Sequence, residues 1–143
     1  MGKKCKKRLE SQRNLEVIRM KLLVDTNIFI AYGKKRDGGL VNRIKSENHD
    51  LNTSVIALAE LRSGIHKGDL SFYEAIKETF RPLPVDLEIA GLAGEFRYEF
   101  LKKGLDIDLA DHIIAATALV NNLTLVTFNK KDFPHKNLQL YPI

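Results

Sequence analysis

The sequence holds a single cysteine, Cys5, in 143 residues. No internal disulfide is available, and nothing points to an oxidising compartment. No apolar run approaches the roughly 18 residues that a membrane helix needs. The first 20 residues, MGKKCKKRLESQRNLEVIRM, lack the apolar h-region of a signal peptide, so a soluble, cytoplasmic protein is expected. The chain also lacks a cysteine pair or closely spaced histidines, which leaves no basis for a zinc site. No internal repeat, low-complexity tract or interdomain linker is visible. The length suits one domain able to bury a core without staples.

Most of the chain lacks any excess of positive charge, although the formal net charge is +5. Residues 1–20 hold seven basic groups (Lys3, Lys4, Lys6, Lys7, Arg8, Arg13, Arg19) against Glu10 and Glu16, leaving 16 groups of each sign over the remaining 123 residues. Any inference from charge to nucleic-acid binding therefore rests on the N-terminal segment. Such a segment is either a phosphate-touching arm or a solvated terminus. Met20 stands directly before the first strand, so the sequence divides into a basic extension, 1–20, and one domain, 21–143.

What the chain does contain is a short apolar strand that runs into an acid, Leu22 to Ile30, LLVDTNIFI. In an α/β protein, a charged residue just past the C-terminal end of such a strand lies at the sheet edge where ligands bind. Asp25 is therefore a candidate site residue. The other reading is that Thr26 or Asn27 caps the following helix and Asp25 is a turn residue.

Helical patterns follow over Phe29–Tyr32 and around Leu40, Val41 and Ile44, and His49 to Thr53 return towards the sheet. Ser54 is placed to cap VIALAELRSGI, which Gly64 or Gly68 should close. Ser71 and Glu74 have capping-box spacing at the head of SFYEAIKETF. RPLPV is an edge strand at most, because proline cannot donate to a ladder. Asp86–Lys103 read as a longer helix and Asp111–Asn121 as another. LTLVT is a second buried strand, and LQLYP a short third. Strands separated by helices predict an α/β three-layer sandwich, its central sheet mainly parallel with four to five strands.

Acidic residues fall where this layout converges. Asp25 ends the first strand; Glu60 lies among Leu58, Ala59 and Leu61, where a carboxylate needs a partner or a cleft; Asp111 opens DHIIAATAL. Asp108 is a natural N-cap for that helix, and Asp111 falls in the first turn, where the dipole favours a carboxylate. Asn129 or Asp132, in TFNKKDF, adds a polar group beyond the LTLVT strand. A cluster of hard oxygen donors at one end of a parallel sheet suits Mg²⁺ or Mn²⁺.

DTNIFI, AELRSG, and DHIIAATAL followed by LTLVTFNKKDF resemble, in order and spacing, the PIN domain and in particular the VapC-type toxin ribonucleases. The resemblance covers residues 21–143. It maps the family's first acid to Asp25, its helix glutamate to Glu60 and its third acid to Asp111, with Asp108 at a less regular position. The last acidic position falls at Asn129 or Asp132; if Asn129 is the equivalent, one charge is missing.

The resemblance implies metal-dependent endonucleolytic cleavage of RNA, with Asp25, Glu60 and Asp111 holding one or two Mg²⁺ or Mn²⁺ ions. Thr26 and Asn27 would hydrogen-bond a carboxylate or the scissile phosphate. It also implies a VapB-like antitoxin partner and a homodimer. For RNA binding the candidates are Arg62, two residues past Glu60, with Lys130 and Lys131. The histidines receive no catalytic role: His112 is assigned to packing or surface, and His49, His66 and His135 lack partners at ligand spacing. Two rival readings remain. A phospho-acceptor module would need a second early acid and would leave Glu60 unexplained. A non-catalytic PIN-like scaffold for RNA or protein would fit Asn129.

Overall fold

The first strand, β1 (Lys21–Val24), has no solvent face: Leu22, Leu23 and Val24 are wholly buried. Only a central place in a sheet covered on both sides satisfies such a segment. In the computed structural model, which describes residues 18–65 and 69–143, β1 takes that place. It pairs in parallel with β2 (Asp50–Ser54) on one side and β4 (Thr124–Val126) on the other. The third strand, β3 (Arg81–Leu83), lies outside β2, giving the order β3-β2-β1-β4. Pro82 thus sits on an edge strand, where a missing donor costs least. The basic segment 1–17, His66 and Gly68 lie outside the described residues.

Register prepares the site. Val24 stands opposite both Thr53 and Val126, so β1, β2 and β4 run out nearly level. The residues that follow β1 and β4, Asp25 and Thr127, therefore emerge side by side. The Asp25 amide donates to the Val126 carbonyl at 3.0 Å, which extends the β1–β4 ladder by one bond and fixes Asp25 against β4.

Among the described residues, six helices cover the sheet: α1 (Thr26–Gly33), α2 (Leu40–Ser46), α3 (Val55–Ser63), α4 (Leu70–Thr79), α5 (Leu87–Lys102) and α6 (Leu109–Val120). The strand period of two splits the core. Leu22 and Val24 pack with Ile28, Phe29, Val41, Ile44, Leu61 and Phe80 on one face. Leu23 packs with Ala57, Ile114, Ala115, Ala118 and Leu125 on the other. Phe29 and Phe80 meet edge to face at 4.9 Å, a contact of about 0.5–1.5 kcal/mol beyond their area burial. The α5 helix packs through Ile89 and Ala93 on Ala116 of α6, leaving Leu87, Tyr98 and Leu101 exposed.

Ser54 caps α3, its hydroxyl accepting from the Ile56 amide at 3.1 Å, and Gly64 closes that helix. Asp86 caps α5 in the same way through the Ile89 amide. The capping box expected at Ser71 is not formed. The α4 helix starts two residues earlier than that box requires, so Ser71 lies inside it and the N-cap position falls to Asp69, without a side-chain bond. LQLYP contributes a single parallel bridge, Leu125 with Leu140, held by the Leu125 amide on the Gln139 carbonyl and the Tyr141 amide on the Leu125 carbonyl. The last helix begins at Leu109, two residues before the predicted start, which puts Asp111 in its first turn. Among the described residues, no helix is long and apolar enough to cross a membrane.

Candidate functional site

Asp25 occupies the turn between β1 and α1, and the cap of α1 is Asp25 itself and not Thr26 or Asn27, which lie inside the helix. Its Oδ1 accepts from the Thr26 amide at 2.8 Å, so it caps α1. Its Oδ2 accepts from the Thr127 hydroxyl at 2.9 Å, and the residue is 4% exposed. A carboxylate buried this deeply is held by directed donors on each oxygen.

Thr127 is the junction of the β4 end. Besides donating to Asp25, its hydroxyl accepts from the Asn27 side-chain amide at 3.2 Å and from the Asn129 backbone amide at 3.0 Å. The Asn27 side-chain oxygen in turn accepts from the Phe128 amide at 3.3 Å. Asn27 therefore braces the loop after β4. Thr127 was absent from the residues singled out by sequence. What brings it to Asp25 is the register of the two strands, Val24 level with Val126, which the sequence does not state. Thr26 is buried, and its hydroxyl donates to Glu60 Oε1 at 3.0 Å.

A cavity of about 420 Å³ opens above these groups. Asp25, Thr26, Asn27, Glu60, Asp108, Asp111, Asn129 and Asp132 line it. The three acids predicted as catalytic are thus brought to one cavity with all five supporting residues. Glu60 has both the partner and the cleft that its apolar neighbours called for, the Thr26 hydroxyl and this cavity. Leu58 and Leu61 turn into the core, while Ala59 and Glu60 are exposed, so Glu60 stands on the rim of the cavity. Asp108 occupies the N-cap position of α6 but makes no capping bond, which leaves its carboxylate for the cavity. Asn129 and Asp132 both line it, Asp132 as a carboxylate alongside those of Asp25, Glu60, Asp108 and Asp111.

The three predicted RNA contacts lie outside this lining. Arg62 is exposed and donates to the Ile65 carbonyl at the end of its own helix. Lys130 and Lys131 are exposed on the 3-10 turn that carries Asp132. A separate apolar groove, lined by Phe29, Ile30, Leu61, Phe72 and others, shares Ile30 and Glu60 with the acidic cavity, so the two adjoin.

Burial pushes the Asp25 carboxyl up to about 6, against the hydrogen bonds from Thr127 and Thr26, with Glu60 and Asp132 adding repulsion. Asp111 is pushed up to about 7, first by burial and then by the charges of Asp25, Asp132, Glu60 and Asp108. The carboxylates share the cavity without being drawn in to ligating distance. Among the described residues, no three His, Cys, Asp or Glu side chains form a ready cage for an ion. The donor set is nonetheless all oxygen, and the repulsion that raises Asp111 is what a divalent cation between these groups relieves. The residues fit a hard cation.

His112 takes the packing role expected of it, fully buried on α6. His135, expected to have no partner, shares a hydrogen bond with it. His49 is structural: Nδ1 accepts from the Met20 amide, and Nε2 meets Glu47 at 2.8 Å.

Comparison with known proteins places this site in a family context. The PIN domain family model matches residues 22–137. The chain is 35% identical to Ribonuclease VapC1 of Methanocaldococcus jannaschii, over 92% of this chain and 88% of that protein. It is 32% identical to Ribonuclease VapC of Rickettsia bellii, over 80% of this chain and 89% of that one. Among solved structures, it resembles a chain of VapBC2 from Rickettsia felis bound to a DNA fragment from their promoter, with TM-score 0.74 and 29% identity over 84% of this chain and 96% of that chain. It also resembles DNA-bound VapBC from Salmonella typhimurium, with TM-score 0.76 and 26% identity over 85% and 97%.

Proposed function

The chain belongs to the PIN domain family, and from that premise we propose that it is the ribonuclease toxin of a VapBC-type pair, an endonuclease cutting RNA phosphodiester bonds with divalent metal. The observation that carries the reading is the convergence of Asp25, Glu60, Asp108, Asp111 and Asp132 on one cavity at the end of the sheet. Such crowding of carboxylates serves no packing purpose. It suits a site whose resting partner is a cation.

Asp25, Glu60 and Asp111 would hold one or two Mg²⁺ or Mn²⁺ ions, with Asp132 as a further carboxylate and Asn129 as a neutral amide beside it. Bound ions supply Lewis-acid charge to the attacked phosphate and lower the pKa of water at the site. The rest is done by the chain. Thr127 and the Thr26 amide stabilise the ionised form of Asp25 against burial, and the Thr26 hydroxyl orients Glu60. Asn27 holds the post-β4 loop so that Asp132 stays over the cavity. Lys130 and Lys131, beside Asp132, would meet the RNA backbone, while Arg62, turned to the Ile65 carbonyl, is the weaker candidate.

The solved relatives are VapBC assemblies, which supports a VapB-like antitoxin as partner. The apolar groove that runs into the acidic cavity at Ile30 and Glu60 suits an amphipathic peptide segment. The exposed Leu87, Tyr98 and Leu101 of α5 support a homodimer. The reading places the protein in the cytoplasm with its RNA.

Induction of wild type and Asp25→Asn in cells, followed by sequencing of RNA 5′ ends, tests this function. New ends at defined sites are expected with wild type alone. Identical end maps for both proteins would refute the assignment.

A further inference from the structure

Two buried imidazoles stand behind the acidic cavity. His112 Nδ1 and His135 Nε2 share a hydrogen bond at 2.9 Å. The residues are 0% and 5% exposed. Phe96 and Phe100 of α5 wall them in, Phe96 edge-on to His135 at 4.8 Å and Phe100 edge-on to His112 at 5.1 Å. The outer nitrogen of His135, Nδ1, is buried with no hydrogen-bond partner, and His112 has only the Ile107 carbonyl on its outer side.

Stability alone does not account for this pair. Two apolar side chains would fill the same aromatic box without stranding the His135 Nδ1 nitrogen, which costs free energy when buried. Anchoring the loop is already served by Phe133, which is 3% exposed within the core. What a hydrogen bond adds to apolar packing is direction. The chain positions show what is being directed. His112 directly follows Asp111 on α6, and His135 comes three residues after Asp132. The bond joins the two segments that deliver these carboxylates, which line one cavity and repel each other.

We infer that His135 is a positioning residue: through its hydrogen bond to His112 it sets where Asp132 stands relative to Asp111, and so sets the affinity of the acidic cavity for a divalent cation. The inference rests on the reading of that cavity as the metal centre. Neither imidazole touches the ion. They act as a strut, in the manner of outer groups that orient metal ligands.

Calorimetric titration of Mn²⁺ into purified wild type, His135→Phe and His135→Gln, with metal-free melting temperatures alongside, tests it. Phe keeps the aromatic packing and loses the bond, whereas the Gln amide reaches the place of Nε2. His135→Phe is expected to bind Mn²⁺ about tenfold more weakly, and His135→Gln to recover to within about twofold of wild type. A purely structural role would move the melting temperatures and leave the affinities alike. If His135→Phe does not fold, His112→Phe breaks the same bond from the other side, with the same expected loss. Wild-type affinity in the folded Phe variant, or equal weakness in Phe and Gln, overturns the inference and leaves the metal centre standing. No Mn²⁺ binding by wild type overturns the centre itself, and this inference with it.

Discussion

The hydroxyl of Thr127 donates to Oδ2 of Asp25 at 2.9 Å, joining the residue after β4 to the residue after β1 across 102 positions of sequence. Removing that donor should be felt twice. Thr127→Val strands a buried carboxylate oxygen and the Asn27 amide, at a cost of about 1–3 kcal/mol. It also removes a bond that lowers the Asp25 pKa, so a larger fraction of Asp25 is protonated at neutral pH. Cleavage should fall about 10- to 100-fold, as for loss of a group orienting a metal ligand. Thr127→Ser should restore both rate and melting temperature. A Val variant as active as wild type would show that the bond does not tune Asp25.

Asp25→Asn should abolish turnover without unfolding the protein. The Asn oxygen still caps α1, and the variant removes a charge that burial disfavours. Raising the pKa from 3.8 to about 6 corresponds to a destabilisation on the order of 3 kcal/mol at neutral pH. The gain is smaller than that, because the Thr127 hydroxyl already accepts two bonds and gains poorly from an added amide donor. The metal-free melting temperature of the variant is therefore expected at or above that of wild type near neutral pH. A marked drop would assign Asp25 a structural role instead.

The pH dependence of stability has two opposed sources. The raised carboxyls of Asp25 and Asp111 make the folded chain bind protons that the unfolded chain releases, so their contribution weakens the fold as pH rises from about 4 to about 7. Burial lowers His112, and lowers His135 to about 4, so their neutral packing favours the fold above about 6.5 and is lost as pH falls towards 4. Metal-free wild type should accordingly show a shallow profile between these limits. Asp25→Asn should lose stability more steeply on acidification, as scanned by thermal denaturation. Parallel profiles would contradict the carboxyl half of the argument.

Added Mg²⁺ or Mn²⁺ should raise the melting temperature, and more at about pH 8 than at about pH 5, because ligating carboxylates must first lose their protons. Asp25→Asn should respond to neither ion at millimolar concentration. A wild-type shift as large at the lower pH would argue against binding at these acids.

Lys130→Ala with Lys131→Ala should raise KM for RNA and flatten its salt dependence while kcat stays close to wild type, since phosphate contacts position the substrate. Arg62→Ala should do much less. A loss confined to kcat would place the lysines in the chemistry.

The parts of the site that were legible in sequence are those fixed by local pattern. LLVD announced a buried strand ending in an acid because a strand without a polar face has one place to go in an α/β sheet. The order of Asp25, Glu60 and Asp111 along alternating elements put them at one sheet edge. What sequence did not yield depends on register and on helix rotation. Thr127 matters because Val24 and Val126 are level, and no property of the LTLVT strand by itself states that. The apolar neighbours of Glu60 called for a partner or a cleft, but did not state the helix rotation that turns it outwards while Leu58 and Leu61 turn in. Ser71 carried the residues of a capping box, yet α4 begins two residues too early for it. The link between His112 and His135 joins segments 23 residues apart and has no periodic signature at all.

The central claim is that Asp25 and its neighbouring acids cut RNA with a divalent cation. Incubation of purified wild type and Asp25→Asn with cellular RNA, in Mg²⁺ or with excess chelator, followed by mapping of the cut ends, tests it most directly. Discrete internal cuts are expected from wild type in Mg²⁺ and from none of the other three reactions. Cutting by Asp25→Asn at the wild-type rate, or wild-type cutting that persists in chelator, would contradict the account.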